Sequence, residues 1–116
     1  MERKSLPTER SSLTHKFSVA GHDGYITVGL YEDKTPGEIF IKVSKEGSTM
    51  SGLMDTIGIL TSLALQHGIS IKTLSKQLID MRFEPSGLTE NDSIKEAKSI
   101  VDYLFRWLKL KFDKEE

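Results

Sequence analysis

Few side chains in this 116-residue chain are of a type that does chemistry. The three histidines are His15, His22 and His67. No two of them stand at i, i+4, and no HExxH spacing occurs, so the pattern spells no zinc-binding helix. Each reads as a structural or solvated imidazole. Cysteine is absent, which excludes disulfides, thiolate metal sites and thiol catalysis. Asp55 is the carboxylate that stands out, because it interrupts an apolar run. It needs a partner, with Lys42, Arg82, Arg106 and His15 as candidates, or a place on a rim. Lys45-Glu46-Gly47-Ser48-Thr49 offers free amides ahead of a helix, a setting that can cradle phosphate. It lacks the GxxxxGK[ST] spacing, and Glu46 would repel an anion. A plain helix cap with Ser48 as N-cap is the simpler reading. No paired carboxylates and no nucleophile–base set emerge. The expectation is therefore no catalytic, cofactor-binding or metal-binding residue, and no activity for the chain on its own.

Binding is better represented than catalysis. Tyr25, Tyr31 and Phe40 fall on the opposite strand parity from Ile26, Val28, Ile39 and Ile41, with Lys16 and Lys42 nearby. Such a face suits a protein or oligomer interface, or a platform on which RNA or single-stranded DNA bases stack. A formal net charge of −1 and the lack of an RNP-type motif favour the interface. Arg82, in the run Arg82-Phe83-Glu84-Pro85-Ser86-Gly87, and Trp107, on the final helix, complete the candidate surface. For both, a rigid turn or ordinary packing is the plainer role.

These residues must be positioned by a small scaffold. Hydrophobic residues make up 37% and charged residues 28%, enough for one modest core. Residues 1–12 read as a flexible arm, 13–112 as a single α+β domain, and 113–116 as a solvated tail. No apolar run reaches the ~20 residues of a membrane span. The first residues do not form a signal peptide, so a cytoplasmic location and no membrane partner are expected. Alternation predicts strands over 13–20, 25–31 and 38–44, joined by turns at Gly21-His22-Asp23-Gly24 and at Pro36-Gly37. That is a three-stranded antiparallel meander. Three helices packed on the sheet follow. The first runs over 49–67, apolar nearly all round and so expected to be covered on more than one flank. Its Gly52 and Gly58 suit close approach of another backbone. Ser70 caps the second helix. The last begins at a capping box, Ser93-Ile94-Lys95-Glu96, and carries Ile94, Ala97, Val101, Leu104, Phe105 and Leu108 on one stripe. Lys109, Lys111 and Lys114 suit its C-terminal dipole.

Four stretches in colinear order, THKFSVAGHDGYITVGLYED, PGEIFIKVSKEGSTMSGLMDTIGILTSLALQHG, RFEPSG and AKSIVDYLFRWLKLKF, carry a resemblance. They resemble the C-terminal region of adenosylcobalamin-dependent (class II) ribonucleotide reductases, a small accessory domain of the TSCPD group. The resemblance implies an α+β domain and nucleotide metabolism as the setting. The family's catalytic barrel, radical cysteine and cysteine-rich tail have no counterpart here, nor does the Thr-Ser-Cys-Pro-Asp sequence that names the group. What the resemblance implies is a non-catalytic module acting by protein–protein contact or self-association. A separately encoded ribonucleotide reductase is the implied partner; a nucleic-acid-binding accessory is the alternative.

Overall fold

The computed structural model describes residues 2–113. Its element order is β1 (Ser12–Val19), β2 (His22–Leu30), β3 (Pro36–Val43), α1 (Ser48–Gln66), α2 (Ile71–Leu78), β4 (Gly87–Asn91), β5 (Ile94–Ala97) and α3 (Ile100–Phe112). The α+β class and the three helices agree with the sequence reading. The sheet does not: it has five strands in the order β3-β2-β1-β4-β5, not three. The chain forms two compact units, residues 2–16 with 24–69, and residues 17–23 with 70–113.

In the first unit, β2 and β3 pair antiparallel, with Ile26 opposite Ile41 and Val28 opposite Ile39. These four side chains are buried, as the period of two requires. The residues between them, Tyr25 and Thr27 against Lys42 and Phe40, occupy the other face. Two turns differ from expectation. Ala20 and Gly21 both have positive φ and by themselves connect β1 to β2, the backbone of a two-residue primed hairpin turn. The β2–β3 turn is closed by Tyr31 and Thr35, with Asp33 accepting from the Thr35 amide and hydroxyl. Pro36 therefore starts β3, where its fixed φ is tolerated at a strand's first residue.

Helix α1 packs against β3. Gly58, Ser62 and Gln66 recur every four residues and so share one line along the helix. The Ser62 hydroxyl accepts from the Ile39 amide at 2.8 Å, and Gln66 Nε2 donates to the Gly37 carbonyl at 2.8 Å. These bonds occupy backbone groups that an edge strand would leave open. A methyl group at Gly58 would lie 2.8 Å from the Ile39 carbonyl oxygen, so the close approach expected there is real. At Gly52 nothing lies within 4 Å, and that half of the expectation fails. The N-cap is Gly47, with no side-chain bond, rather than Ser48, which is already the first residue of α1.

In the second unit, α2 and β5 pack against α3. Ser70 caps α2 by accepting from the Thr73 amide. The stretch read as an irregular loop followed by the start of the last helix is the β4–β5 hairpin. Ser93 is not an N-cap; its amide donates to the Asn91 side chain in the hairpin turn. The cap of α3 is Ser99, which accepts from the Asp102 amide. Ser99-Ile100-Val101-Asp102 repeats the pattern of Ser93-Ile94-Lys95-Glu96, and it is the second copy that starts the helix. Ile94 and Ala97 are buried as predicted, but from β5; Val101, Leu104, Phe105 and Leu108 are buried from α3. Lys109 and Lys111 stand in the last turn of α3, while Lys114 lies outside the described residues. No described helix is long and apolar enough to cross a membrane.

Candidate functional site

The outer face of the first unit's strands is where the sequence reading and the structure meet. Tyr25 and Lys42 are directly opposite in the β2–β3 ladder, and Phe40 is opposite Thr27. The Thr14 and Thr27 hydroxyls approach to 3.5 Å, so Lys16, two residues along β1 from Thr14, shares their face. Tyr25, Phe40, Lys16 and Lys42 are all exposed, Phe40 at 49%. A groove of about 440 Å³ runs beside this face between β3 and α1. Phe40, Ile59 and Leu63 form apolar walls; Arg3 and Gln66 contribute polar groups, as does the pair Lys42–Asp55.

Two opposite-charge pairs stand at and beside the groove. Lys42 Nζ stands 3.1 Å from Asp55 Oδ1, which resolves the question the sequence posed about Asp55. Its carboxylate is a half-exposed rim group with a cation beside it, and Lys42, on the strand next to α1, is the candidate it chose. Arg3 Nε donates to Gln66 Oε1 at 2.6 Å, and Arg10 Nε lies 2.7 Å from Glu38. Lys42 and Arg10 thus have carboxylate partners, whereas Arg3 bonds a neutral amide.

The remaining candidates lie elsewhere. Tyr31 is past the end of β2, after a register shift at Gly29/Leu30, and only 7% exposed. Its hydroxyl donates to the Lys4 carbonyl at 2.6 Å, and the Lys4 ammonium sits 4.4 Å from its ring centroid, a cation–π arrangement. Burial raises the pKa of its hydroxyl. The strand alternation that grouped Tyr31 with Tyr25 thus breaks at the bulge. Arg82 belongs to the second unit and is exposed; its guanidinium donates to Ser86 Oγ at 3.3 Å, fastening the turn. Trp107 is 2% exposed and meets the Phe112 ring edge-on at 6.3 Å. It is core, not surface.

The sequence reading missed α1 itself as an open surface. Leu53 (55%), Ile59 (61%) and Leu60 (61%) are exposed, with Leu63 beside them. Only Met54, Gly58, Thr61 and Gln66 of this helix are buried. The expectation of a helix covered on several flanks is overturned. The line that meets β3 is Gly58, Ser62 and Gln66, so Leu53 and Leu60 stand outside that contact while Ile59 and Leu63 reach only the groove beside it. The signal was present in the spacing of Gly58, Ser62 and Gln66, and in the single charge, Asp55, among nineteen residues. Among the described residues, no three His, Asp or Glu side chains are grouped to hold a metal ion.

Comparison with known proteins places this architecture. The TSCPD domain model matches residues 1–112. A vitamin B12-dependent ribonucleotide reductase of Rhodopirellula baltica is 52% identical over 110 residues, covering 95% of this chain and 11% of the relative. The corresponding protein of Streptantibioticus cattleyicolor is 46% identical over 95% of this chain and 18% of its own length. That of Agrobacterium fabrum is 39% identical over 96% of this chain and 9% of its own. The chain therefore spans between 9% and 18% of the length of these relatives. No solved structure matches it. A model match over nearly all residues, with relatives at this identity, makes the chain a member of the TSCPD domain family.

Proposed function

We propose that this chain is a non-catalytic accessory domain that works by protein contact, and that its partner is a vitamin B12-dependent (class II) ribonucleotide reductase polypeptide. The observation that carries the reading is the near-complete match to a small part of such reductases. The contact surface in this reading is the face of Lys16, Tyr25, Phe40 and Lys42. Two exposed rings flanked by aliphatic groups, with Lys42 paired to Asp55, resemble an interface core, where aromatics are enriched. The absence of cysteine supports a role in binding rather than in thiol or radical chemistry.

The test is a titration of the chain against a purified class II reductase from the same cells. Saturable one-to-one binding per reductase polypeptide is expected. No heat and no co-sedimentation at tens of micromolar of each would overturn the reading. A second reading, single-stranded nucleic acid stacked on Tyr25 and Phe40, is supported by the exposure of both rings. It requires affinity for a single-stranded oligonucleotide that falls steeply with salt. Lys42, already beside Asp55, weakens it.

A further inference from the structure

We propose that α1 is the seam of a homodimer in which two copies pack their first helices antiparallel about a two-fold axis. This goes beyond the accessory role and rests on that reading only in treating the domain as one that works by contact. It concerns the exposed side of α1, which borders the Tyr25–Phe40 face at Ile59 and Leu63.

The exposed side of α1 has the spacing of a short coiled-coil seam. Leu53 and Leu60 stand seven apart, and Thr56 and Leu63 follow each by three, the a and d positions of a heptad. Ile59 flanks them. All five are exposed. The seam is also almost free of charge: of nineteen residues in α1 only Asp55 is ionisable, and it sits beside Lys42 at 3.1 Å. A face that meets its own copy must not repel itself, and this one has nothing to repel with. Solvent-facing helices ordinarily carry charged residues on that side.

Self-complementarity under a two-fold axis is what selects a second copy as the occupant. In an antiparallel pair, a positions face d positions of the partner helix. Leu53 then meets the partner's Leu63, and Thr56 meets the partner's Leu60, giving four successive layers from two symmetric pairs. The small Thr56 makes room for the fully projecting Leu60, so large and small alternate across the middle. Ile59 falls beside the axis and meets its own copy. The open apolar surface of Leu53, Ile59, Leu60 and Leu63 amounts to roughly 400 Å² per copy, a patch as large as those that mark functional surfaces on monomers. Two such patches, with the intervening small residues, bury about 1,000 Å², the lower bound for a specific interface. An interface at that lower bound is a weak one, so the dimer dissociates on dilution.

The native chain has no cysteine, so single cysteines report the geometry directly. Sedimentation velocity of the full chain from about 1 to 500 µM should show a monomer–dimer equilibrium. Leu60→Glu should abolish dimer throughout that range. Leu88→Glu, a charge added at an exposed position of β4, should leave it unchanged. Ile59→Cys should cross-link to dimer with a short bis-maleimide. Thr49→Cys should not, because in the antiparallel register its two copies are about 27 Å apart along the helix axis at 1.5 Å per residue. A strict monomer at 500 µM, a dimer indifferent to Leu60→Glu, or cross-linking at Thr49 as readily as at Ile59 would overturn the proposal. So would a monomer whose Leu60 is needed for binding the reductase, which would make that polypeptide the occupant. A dimer that fails to bind a reductase sustains this proposal and refutes the proposed partner, so the two failures are distinguishable.

Discussion

Asp102 is the side chain on which the second unit's local order converges. It is buried at the start of α3, where its carboxylate accepts from the Asp80 amide at 2.7 Å, the Lys98 amide at 2.9 Å and Arg106 Nε at 2.8 Å. Ser99 closes the same knot, capping α3 and donating to the Met81 carbonyl. Without this carboxylate the Asp80 and Lys98 amides lose their acceptor, while Arg106, partly exposed, keeps Asp80 at 2.6 Å. Asp102→Ala is expected to lower stability by about 2 kcal/mol, the order of the cost of leaving buried donors without an acceptor, read as a lower urea midpoint with unchanged slope. Asp80, on the rim of this knot, titrates differently. The Lys98 ammonium bonded to it and the nearby Arg106 hold its pKa below the ordinary carboxylate value. A lowered folded pKa means that the unfolded chain binds the proton first as pH falls. The contribution is thus present above about pH 4, the unfolded carboxylate value, and lost as pH drops through the folded pKa. Urea midpoints should fall from pH 5 to pH 3, and Asp80→Asn should flatten that fall. Because Asp80 is exposed, the effect is a modest one.

The elements make their own predictions through the two glycines of α1. Gly58 lies where an added methyl group would strike the Ile39 carbonyl oxygen, so Gly58→Ala must push the helix off β3. Overpacking of this kind costs about 1–3 kcal/mol, more than the ~1 kcal/mol that alanine gains in helix propensity. Gly52 has open space around it, and Gly52→Ala should raise stability by up to about 1 kcal/mol. A thermal melt of the two variants beside the parent reads both signs at once. The contrast also marks how far the sequence was legible. Alternation of Ile26, Val28, Ile39 and Ile41 revealed a sheet with one buried face, because a period of two survives any detail of turn geometry. The 3.6-residue period likewise located three helices. It could not orient α1, since a stripe of Gly, Ser and Gln that bonds an edge strand looks like the polar side of a helix, and the aliphatic side looks like core. The β4–β5 hairpin stayed hidden for a related reason. Leu88 and Thr89 are too short a run to show alternation, and Ser93–Glu96 satisfies a capping pattern that Ser99–Asp102 satisfies as well. Tyr31 was misplaced because a bulge at Gly29/Leu30 ends the alternation one residue before it. Of the candidate surface, Lys16, Tyr25, Phe40 and Lys42 do share one face. Trp107 reads the same whether a helix buries it or displays it, and the core claimed it.

On the whole chain, open apolar side chains lie on the β2–β3 face and along α1. The chain's relatives hold the same domain within polypeptides many times longer, and membership in the TSCPD family covers residues 1–112. The face of Tyr25 and Phe40 is the proposed contact surface for a class II reductase polypeptide. The most direct test is a side-by-side titration of that polypeptide with the native chain, the Phe40→Glu variant and the Leu88→Glu variant. Phe40 contributes surface to the groove and its exposure leaves the fold independent of it, so circular dichroism should show all three equally folded. Native chain and Leu88→Glu should bind alike. Phe40→Glu should bind at least tenfold more weakly, a loss of about 1.4 kcal/mol. Equal affinities for all three, or no binding by the native chain, would rule this contact surface out.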